Sequence, residues 1–181
     1  MAAGLKVTAC LVTRGDCDLT EIIDTLPYDQ IVVWDNSKRE DLGIYGRYAA
    51  IEEADHDVIY VQDDDLVVTC HDQLLDAYEP GRLLCNYPEP WDIPWVARGA
   101  LFHRNLPQQA FDQYLRSFEL DRWFTHQGCD GVFSLLTPYK VVDYGSRDLP
   151  HAFNDGRVST TPGWYDAFRP LIQERVNACC K

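Results

Sequence analysis

The chain lacks several features that would assign it to common classes of protein. Its seven cysteines are an odd number and include no Cys-x-x-Cys pair, so neither a zinc site nor a disulfide framework is indicated. No segment approaches the roughly 18 apolar residues that a membrane-spanning helix needs. Basic residues are scarce, with 16 Lys and Arg against 29 Asp and Glu, and the formal net charge is −13. These absences argue against a secreted, membrane-bound or non-specific nucleic-acid-binding protein and predict a soluble, cytoplasmic chain with free thiols.

What is present is a regular alternation of short apolar runs and helix-like segments. At 181 residues and 46% hydrophobic content, the chain suits one domain, residues 1–181, with a substantial core. The predicted strands are 5–12, 31–34, 57–62, 83–86, 96–103 and 139–144, and the predicted helices are 18–26, 46–54, 71–78, 107–118, 131–136 and about 162–179. Strands that alternate with helices predict an α/β fold with a mixed, mainly parallel sheet flanked by helices.

The most informative motif is Asp63-Asp64-Asp65, directly after the apolar run Val58–Val61 and Gln62. Three carboxylates at the end of a buried strand repel one another unless a cation lies among them, and hard divalent ions prefer carboxylate oxygens. Alternate residues of an extended segment can turn two side chains toward one ligand, so the spacing favours Asp63 and Asp65 as a pair. The alternative interpretation is a solvated acidic turn.

The order of the motifs resembles that of GT-A glycosyltransferases, which use nucleotide-sugars and have a Rossmann-like fold. The matching segments are 7–13, 31–37 and 46–54, then the acidic run 63–65, the segment 95–104, and Cys129-Asp130-Gly131 before a helix. Asp63–Asp65 falls where that family has its DxD motif. The resemblance implies that residues 1–65 form the nucleotide-binding half and residues 66–181 the acceptor-side half, which ends in a C-terminal helix.

The resemblance also implies roles for the acidic run. Asp65 is the leading ligand of a divalent metal, Mn²⁺ or Mg²⁺, which stabilises the charge that develops on the leaving diphosphate. Asp63 holds the ribose or reaches the metal, and Asp64 either orients the donor or faces solvent.

Residues after the first two strands are candidates for nucleotide contacts. Thr13 and Arg14 are expected to line the base pocket, and Asp35 to accept a hydrogen bond from a pyrimidine N–H, which favours uridine. Arg47, on the following helix, is expected to approach the diphosphate. The alternatives are a turn or helix-cap role for Asp35 and a surface ion pair with a nearby glutamate for Arg47.

Three residues from the second half complete the predicted site. Asp130 is the catalytic candidate, either as the base that deprotonates the acceptor or as a group that positions it, and the alternative is a helix N-cap. His151 is a candidate third metal ligand, although a lone histidine is more often structural. Arg157 is a candidate contact for the diphosphate.

These observations predict a metal-dependent glycosyltransferase that uses a nucleotide-sugar, favoured to be a UDP-sugar. The acceptor stays open among a glycan, a protein, a small molecule and a modified DNA base. Two alternatives are a nucleotidyltransferase and a non-catalytic module that binds nucleotides or sugars. The loop at 13–18 lacks the glycine-rich, basic form usual in nucleotidyltransferases, which counts against the first alternative.

Overall fold

The computed structural model describes residues 4–86, 94–153 and 164–180. The predicted site residue Arg157 lies outside these ranges. In the first half the strands are β1 (Val7–Thr13), β2 (Gln30–Asp35), β3 (Val58–Val61) and β4 (Leu66–Val67), and the helices are α1 (Thr20–Thr25), α2 (Gly46–Ala49) and α3 (His71–Ala77). Short 3₁₀ helices, Gly43–Tyr45 and Ala50–Glu53, flank α2.

The second half is also α/β. Its strands are β5 (Leu83–Asn86), β6 (Ala100–His103), β7 (Tyr139–Val142) and β8 (Arg147–Asp148), and its α-helices are α4 (Asn105–Leu115), α5 (Cys129–Leu136) and α6 (Trp164–Cys179). A π-helical segment, Phe124–Gly128, runs directly into α5, and a 3₁₀ helix, Pro150–Phe153, follows β8. None of the described helices is both long and apolar enough to cross a membrane.

The main sheet has six strands in the order β2-β1-β3-β6-β5-β7, and β4 pairs with β8 in a small second sheet. Strand β1 is parallel to β2 and β3, β5 is parallel to β7, and β6 is antiparallel to both of its neighbours. All the strands of the main sheet except β6 therefore point the same way. The prediction of a single α/β domain with a mainly parallel sheet is confirmed, and both predicted halves contribute strands to the same sheet.

Both faces of this sheet are covered, which explains why its strands are continuous apolar runs. Alternate residues of β1 illustrate this: Ala9 and Leu11 belong to one buried cluster, whereas Cys10 belongs to the other. The first cluster includes residues of α1 and α3, and the second includes residues of α4, α5 and α6. Because the two layers hold the strands from both sides, the strand ends lie on a rigid frame.

Several predicted boundaries were wrong for local reasons. The strand predicted over 96–103 begins only at Ala100, because Gly99 has a φ of +101° and turns the chain. The helix predicted over 46–54 is divided between α2 and a 3₁₀ helix. The helix predicted from Gly131 begins earlier, because the π-helical segment leads into it without a break.

Candidate functional site at the carboxyl ends of the strands

Strands β1, β2 and β3 end at the same edge of the sheet and bring three predicted site residues there. Thr13 and Asp35 are paired in register at the ends of β1 and β2, and the Asn36 amide donates to the Thr13 carbonyl over 2.9 Å. Asp63 lies two residues beyond the end of β3. In open α/β sheets, ligands bind beyond the carboxyl ends of the strands, so this edge is the candidate site.

The loop after β1 is a tight turn packed against the loop after β2. Gly15 has a φ of +79°, and its amide donates to Thr13 Oγ1 over 3.1 Å. A Cβ atom on Gly15 would lie 2.3 Å from Ser37 Oγ, so only glycine fits this approach. Arg14, predicted to line the base pocket, is about half exposed and pairs with Asp16 at 2.8 Å.

Asp35 has the turn role that was the alternative for it. Its Oδ1 accepts from the Ser37 amide at 2.9 Å and from Ser37 Oγ at 2.6 Å, and its Oδ2 accepts from Lys38 Nζ at 2.7 Å. The hydrogen bonds from Lys38 and Ser37 lower the pKa of Asp35 to about 2. Asp35 is therefore charged at neutral pH, and its contact with a pyrimidine stays a prediction.

The three carboxylates of the acidic run have different surroundings. Asp63 is one-third exposed, and its Oδ1 accepts from Arg47 Nη2. Asp64 is buried, and its Oδ2 accepts from the Cys17 thiol at 3.3 Å. Asp65 is partly exposed, and its main-chain oxygen accepts from the Leu149 amide at 2.7 Å. The run forms a turn at Asp64 and Asp65 between β3 and the small sheet, and the alternative of a solvated acidic turn describes it only in part, because Asp64 is buried.

The proposed metal ligands do not all converge. Among the described residues, the only group of three potential ligands within 4.8 Å of one another is Asp16, Cys17 and Asp64. The predicted set of Asp63, Asp65 and His151 does not form such a group. His151 Nε2 instead lies 2.7 Å from the main-chain oxygen of Asp64, and since a carbonyl only accepts, this nitrogen carries the proton.

Two oxygen ligands of this group fit a hard cation, but the thiol does not. Burial is the largest cause that raises the pKa of Cys17 to about 11, so its sulfur stays protonated at neutral pH. Asp16 and Asp64 offer the carboxylate oxygens that Mg²⁺ and Mn²⁺ prefer. The sequence prediction missed Asp16 and Cys17. Their position in the loop after β1, at the same edge as the acidic run, was the available signal.

Arg47 and Asp130 are brought together in the protein interior. The Arg47 side chain is 1% exposed and that of Asp130 4%, and Arg47 Nη1 lies 3.4 Å from Asp130 Oδ2. Asp130 Oδ1 accepts from the Tyr48 hydroxyl at 2.7 Å. Both alternatives for this pair are wrong: Arg47 is not at the surface beside a glutamate, and Asp130 is the second residue of α5, whose N-cap is Gly128. The sequence prediction also missed Tyr48, which follows Arg47 on α2.

The charges of this buried group are strongly coupled. Burial raises the pKa of Asp130, and the positive charge of Arg47 opposes that shift only in part. Burial disfavours the charged form of Arg47, but the negative charges of Asp130 and Asp63 outweigh it and raise the pKa of Arg47. Arg47 is therefore a permanent cation between two carboxylates.

Several solved structures align with this chain, although no family model and no curated protein matches the sequence. The 4-diphosphocytidyl-2C-methyl-D-erythritol synthase from Anaerococcus prevotii aligns with a TM-score of 0.55 and 12% identity over 94% of this chain and 99% of its own. The 2-C-methyl-D-erythritol 4-phosphate cytidylyltransferase from Thermus thermophilus aligns with a TM-score of 0.47 and 14% identity over 93% of this chain and 98% of its own, a likeness too low to support a conclusion.

At 12% identity the first likeness establishes the fold and nothing finer. It agrees with the Rossmann-like architecture predicted from the sequence. It does not confirm membership of the glycosyltransferase family, and sugar transfer, UDP and manganese all stay predictions.

Proposed function

We propose that this chain is a metal-dependent transferase that binds a nucleotide, and that its reaction is nucleotidyl transfer. The observation that carries the proposal is the convergence of Asp16 and Asp64 within 4.8 Å at the carboxyl edge of a Rossmann-like sheet. Arg14 pairs with Asp16 at 2.8 Å, and a divalent cation that also binds the phosphates of a nucleotide would add positive charge between the two carboxylates.

Nucleotidyl transfer is favoured over sugar transfer by the activity that the name of the similar Anaerococcus structure describes. The name of the Anaerococcus enzyme describes a diphosphocytidyl product, which is what the transfer of a nucleotide to a phosphate monoester yields. The sequence argument against this reaction was the form of the loop at 13–18. That loop has one positive-φ glycine, Gly15, and the Arg14 beside it pairs with Asp16, so the loop by itself favours neither reaction.

In this reaction an oxygen of the acceptor phosphate attacks the α-phosphorus of a nucleoside triphosphate, and the bond to pyrophosphate breaks. A bound cation would neutralise charge on the phosphate oxygens. Asp16 and Asp64 would hold that cation, with Asp63 and Asp65 close by on the same chain segment. Asp35 and Thr13 stay the candidate contacts for the base.

Glycosyl transfer from a nucleotide-sugar is the second candidate. It is favoured by the position of Asp63–Asp65 at the end of β3, where the DxD motif of GT-A enzymes lies. Both candidates need a pyrimidine or purine nucleotide and a cation, and they differ in the bond that breaks. The leaving group is pyrophosphate in the first reaction and a nucleoside diphosphate in the second.

A ligand screen followed by product analysis tests the proposal. Nucleoside triphosphates, nucleoside diphosphates and UDP-sugars are compared by thermal shift with Mn²⁺ and then with excess EDTA. At 100 times its Kd, a ligand stabilises the native state by about 2.7 kcal/mol, which corresponds to roughly 5–10 °C in Tm. We expect a triphosphate to give this shift with Mn²⁺ only, and to release pyrophosphate when a panel of phosphate monoesters is supplied.

The matched variants are Asp64→Asn and Asp18→Asn. Asp64→Asn should remove most of the Mn²⁺-dependent shift. Asp18→Asn should not, because the Asp18 carboxylate accepts from Thr20 and lies outside the metal group. Release of UDP from a UDP-sugar without any release of pyrophosphate would favour the second candidate. Equal binding with Mn²⁺ and with EDTA would overturn the metal-dependent proposal.

A further inference from the structure

Arg47 has an unusual environment for a guanidinium group. It is enclosed, with a side chain that is 1% exposed, and its Nη2 donates to Asp63 Oδ1. Its Nε and Nη1 have no hydrogen-bond partner in the described part of the chain, and Nη1 faces Asp130 Oδ2 at 3.4 Å. A buried charge is retained only when other charges compensate it, so Arg47 depends on its two carboxylates.

The two carboxylates differ in their access to solvent. The Asp63 side chain is 33% exposed, whereas that of Asp130 is 4% exposed. Both oxygens of Asp130 already face protein groups. Oδ1 accepts from the Tyr48 hydroxyl, and Oδ2 faces the Arg47 guanidinium. A general base must come within hydrogen-bond reach of the substrate proton, and Asp130 does not present an oxygen to the strand edge in this structure.

We infer that Asp130 is a positioning residue that acts through Arg47 on Asp63, and that it does not touch the substrate. The inference rests on the proposed function, because it concerns the cation that a nucleotide substrate brings to Asp63 and its neighbours. Arg47 bonds one oxygen of Asp63 and so orients the carboxylate, while Asp130 shares the positive charge of Arg47. Asp63 thereby keeps part of its negative charge for the cation.

The net charge of this group decides how strongly Asp63 attracts a cation. With both carboxylates ionised beside Arg47, the group of Asp63, Arg47 and Asp130 has a net charge of −1. Without the charge of Asp130 the net charge is zero, and Arg47 neutralises Asp63 alone. Without the charges of both Arg47 and Asp130 the net charge is again −1, and it lies entirely on Asp63. Cation affinity at this edge should therefore fall in the first case and recover in the second.

Calorimetric titration of Mn²⁺, in the presence of the nucleotide selected by the screen, compares the Mn²⁺ affinities of the wild type and of these variants. Asp130→Asn keeps an acceptor for Tyr48 and should weaken Mn²⁺ binding by about tenfold, which corresponds to a loss of about 1.4 kcal/mol of coulombic attraction. The double variant Arg47→Gln with Asp130→Asn should restore the affinity to within about threefold of wild type. Tyr48→Phe is the control, because it removes a hydrogen bond to Asp130 but leaves all three charges.

Two further measurements distinguish positioning from catalysis. In an Asp63→Asn background, Asp130→Asn should weaken Mn²⁺ binding by less than about threefold, because the carboxylate that Arg47 orients is absent and only the change in net charge remains. In turnover, Asp130→Asn should raise the Mn²⁺ concentration needed for activity, while saturating Mn²⁺ should restore kcat to within about threefold. Loss of a general base typically lowers the rate by about 10²–10⁴, and more metal does not restore it.

The possible results distinguish a failure of the positioning inference from a failure of the proposed function. If wild type binds Mn²⁺ with nucleotide but Asp130→Asn binds it equally well, the positioning inference is overturned and the proposed function stands. An undiminished, about tenfold effect of Asp130→Asn in the Asp63→Asn background, or failure of the double variant to recover, overturns the inference in the same way. If wild type binds no Mn²⁺ with any nucleotide, the proposed function falls, and this inference falls with it.

Discussion

Replacement of Arg47 by methionine should be strongly destabilising. Methionine fills much of the volume of the arginine stem but removes the charge that faces Asp130 and Asp63. Asp63 is 33% exposed and can regain water, whereas Asp130 is 4% exposed and cannot. Most of the loss should therefore come from the uncompensated charge of Asp130. Breaking a buried pair by removal of one partner typically costs about 3–5 kcal/mol, a large part of the roughly 5–15 kcal/mol by which a domain is stable.

Urea unfolding followed by tryptophan fluorescence measures this loss, and thermal unfolding should show a fall in Tm of about 6–20 °C. Protonation of Asp130 limits the loss at low pH. Because burial already raises the pKa of Asp130, the variant should be least impaired near the ordinary carboxyl pKa and lose stability as the pH rises above it.

Two comparisons make the test specific. Adding Asp130→Asn to Arg47→Met removes the orphaned charge and should recover at least half of the lost stability. Arg39→Met breaks an exposed ion pair with Glu53 and a cation–π contact with Trp34, and should lower the urea midpoint far less than Arg47→Met does. A loss below about 1 kcal/mol for Arg47→Met, or no recovery in the double variant, would show that the buried group is not held together by charge.

Two other predictions concern the stability of the protein, one through the protonation of His71 and one through the packing at Gly46. Burial lowers the pKa of His71, so the unfolded chain takes up a proton before the native protein does as the pH falls through about 6.5. The free energy of unfolding should fall there by up to about 1.4 kcal/mol per pH unit. His71→Gln can still form a hydrogen bond with the Tyr28 hydroxyl and should reduce this loss of stability at acid pH, as measured by urea unfolding at several pH values. Gly46→Ala should destabilise the native protein by about 1–3 kcal/mol, because the alanine Cβ would lie 2.5 Å from Trp34 Cδ1. The better helix propensity of alanine does not offset this clash. An unchanged thermal midpoint would contradict the close packing of α2 on the sheet.

Much of the fold followed from local patterns. The apolar runs that became β1, β2 and β3 are bounded by polar turn residues, and the segments between them have helical character, so a parallel arrangement was the expected result. The acidic run follows the apolar residues of β3 directly, and its position at the strand edge could be read from the chain. The pairing of β3 with the antiparallel β6 could not, because strand neighbours that are distant in sequence leave no local signal.

The candidate site, like the fold, could be predicted from the sequence only in part. Strand direction and strand length decide which carboxylates lie at the strand ends, and both could be read from the chain. Which of these carboxylates meet one another, or meet a cation, follows from the packing of the folded protein. Asp64 faces the loop after β1, whereas Asp63 faces Arg47, which in turn meets Asp130 from a helix in the second half of the chain. These contacts join residues 16 to 83 positions apart in the sequence. The contact of Asp64 with Cys17 depends on how the loops after β1 and β3 meet, and that of Arg47 with Asp130 depends on how α2 and α5 pack on one face of the sheet. Both follow from the packing of the whole core, which no local pattern of residues encodes.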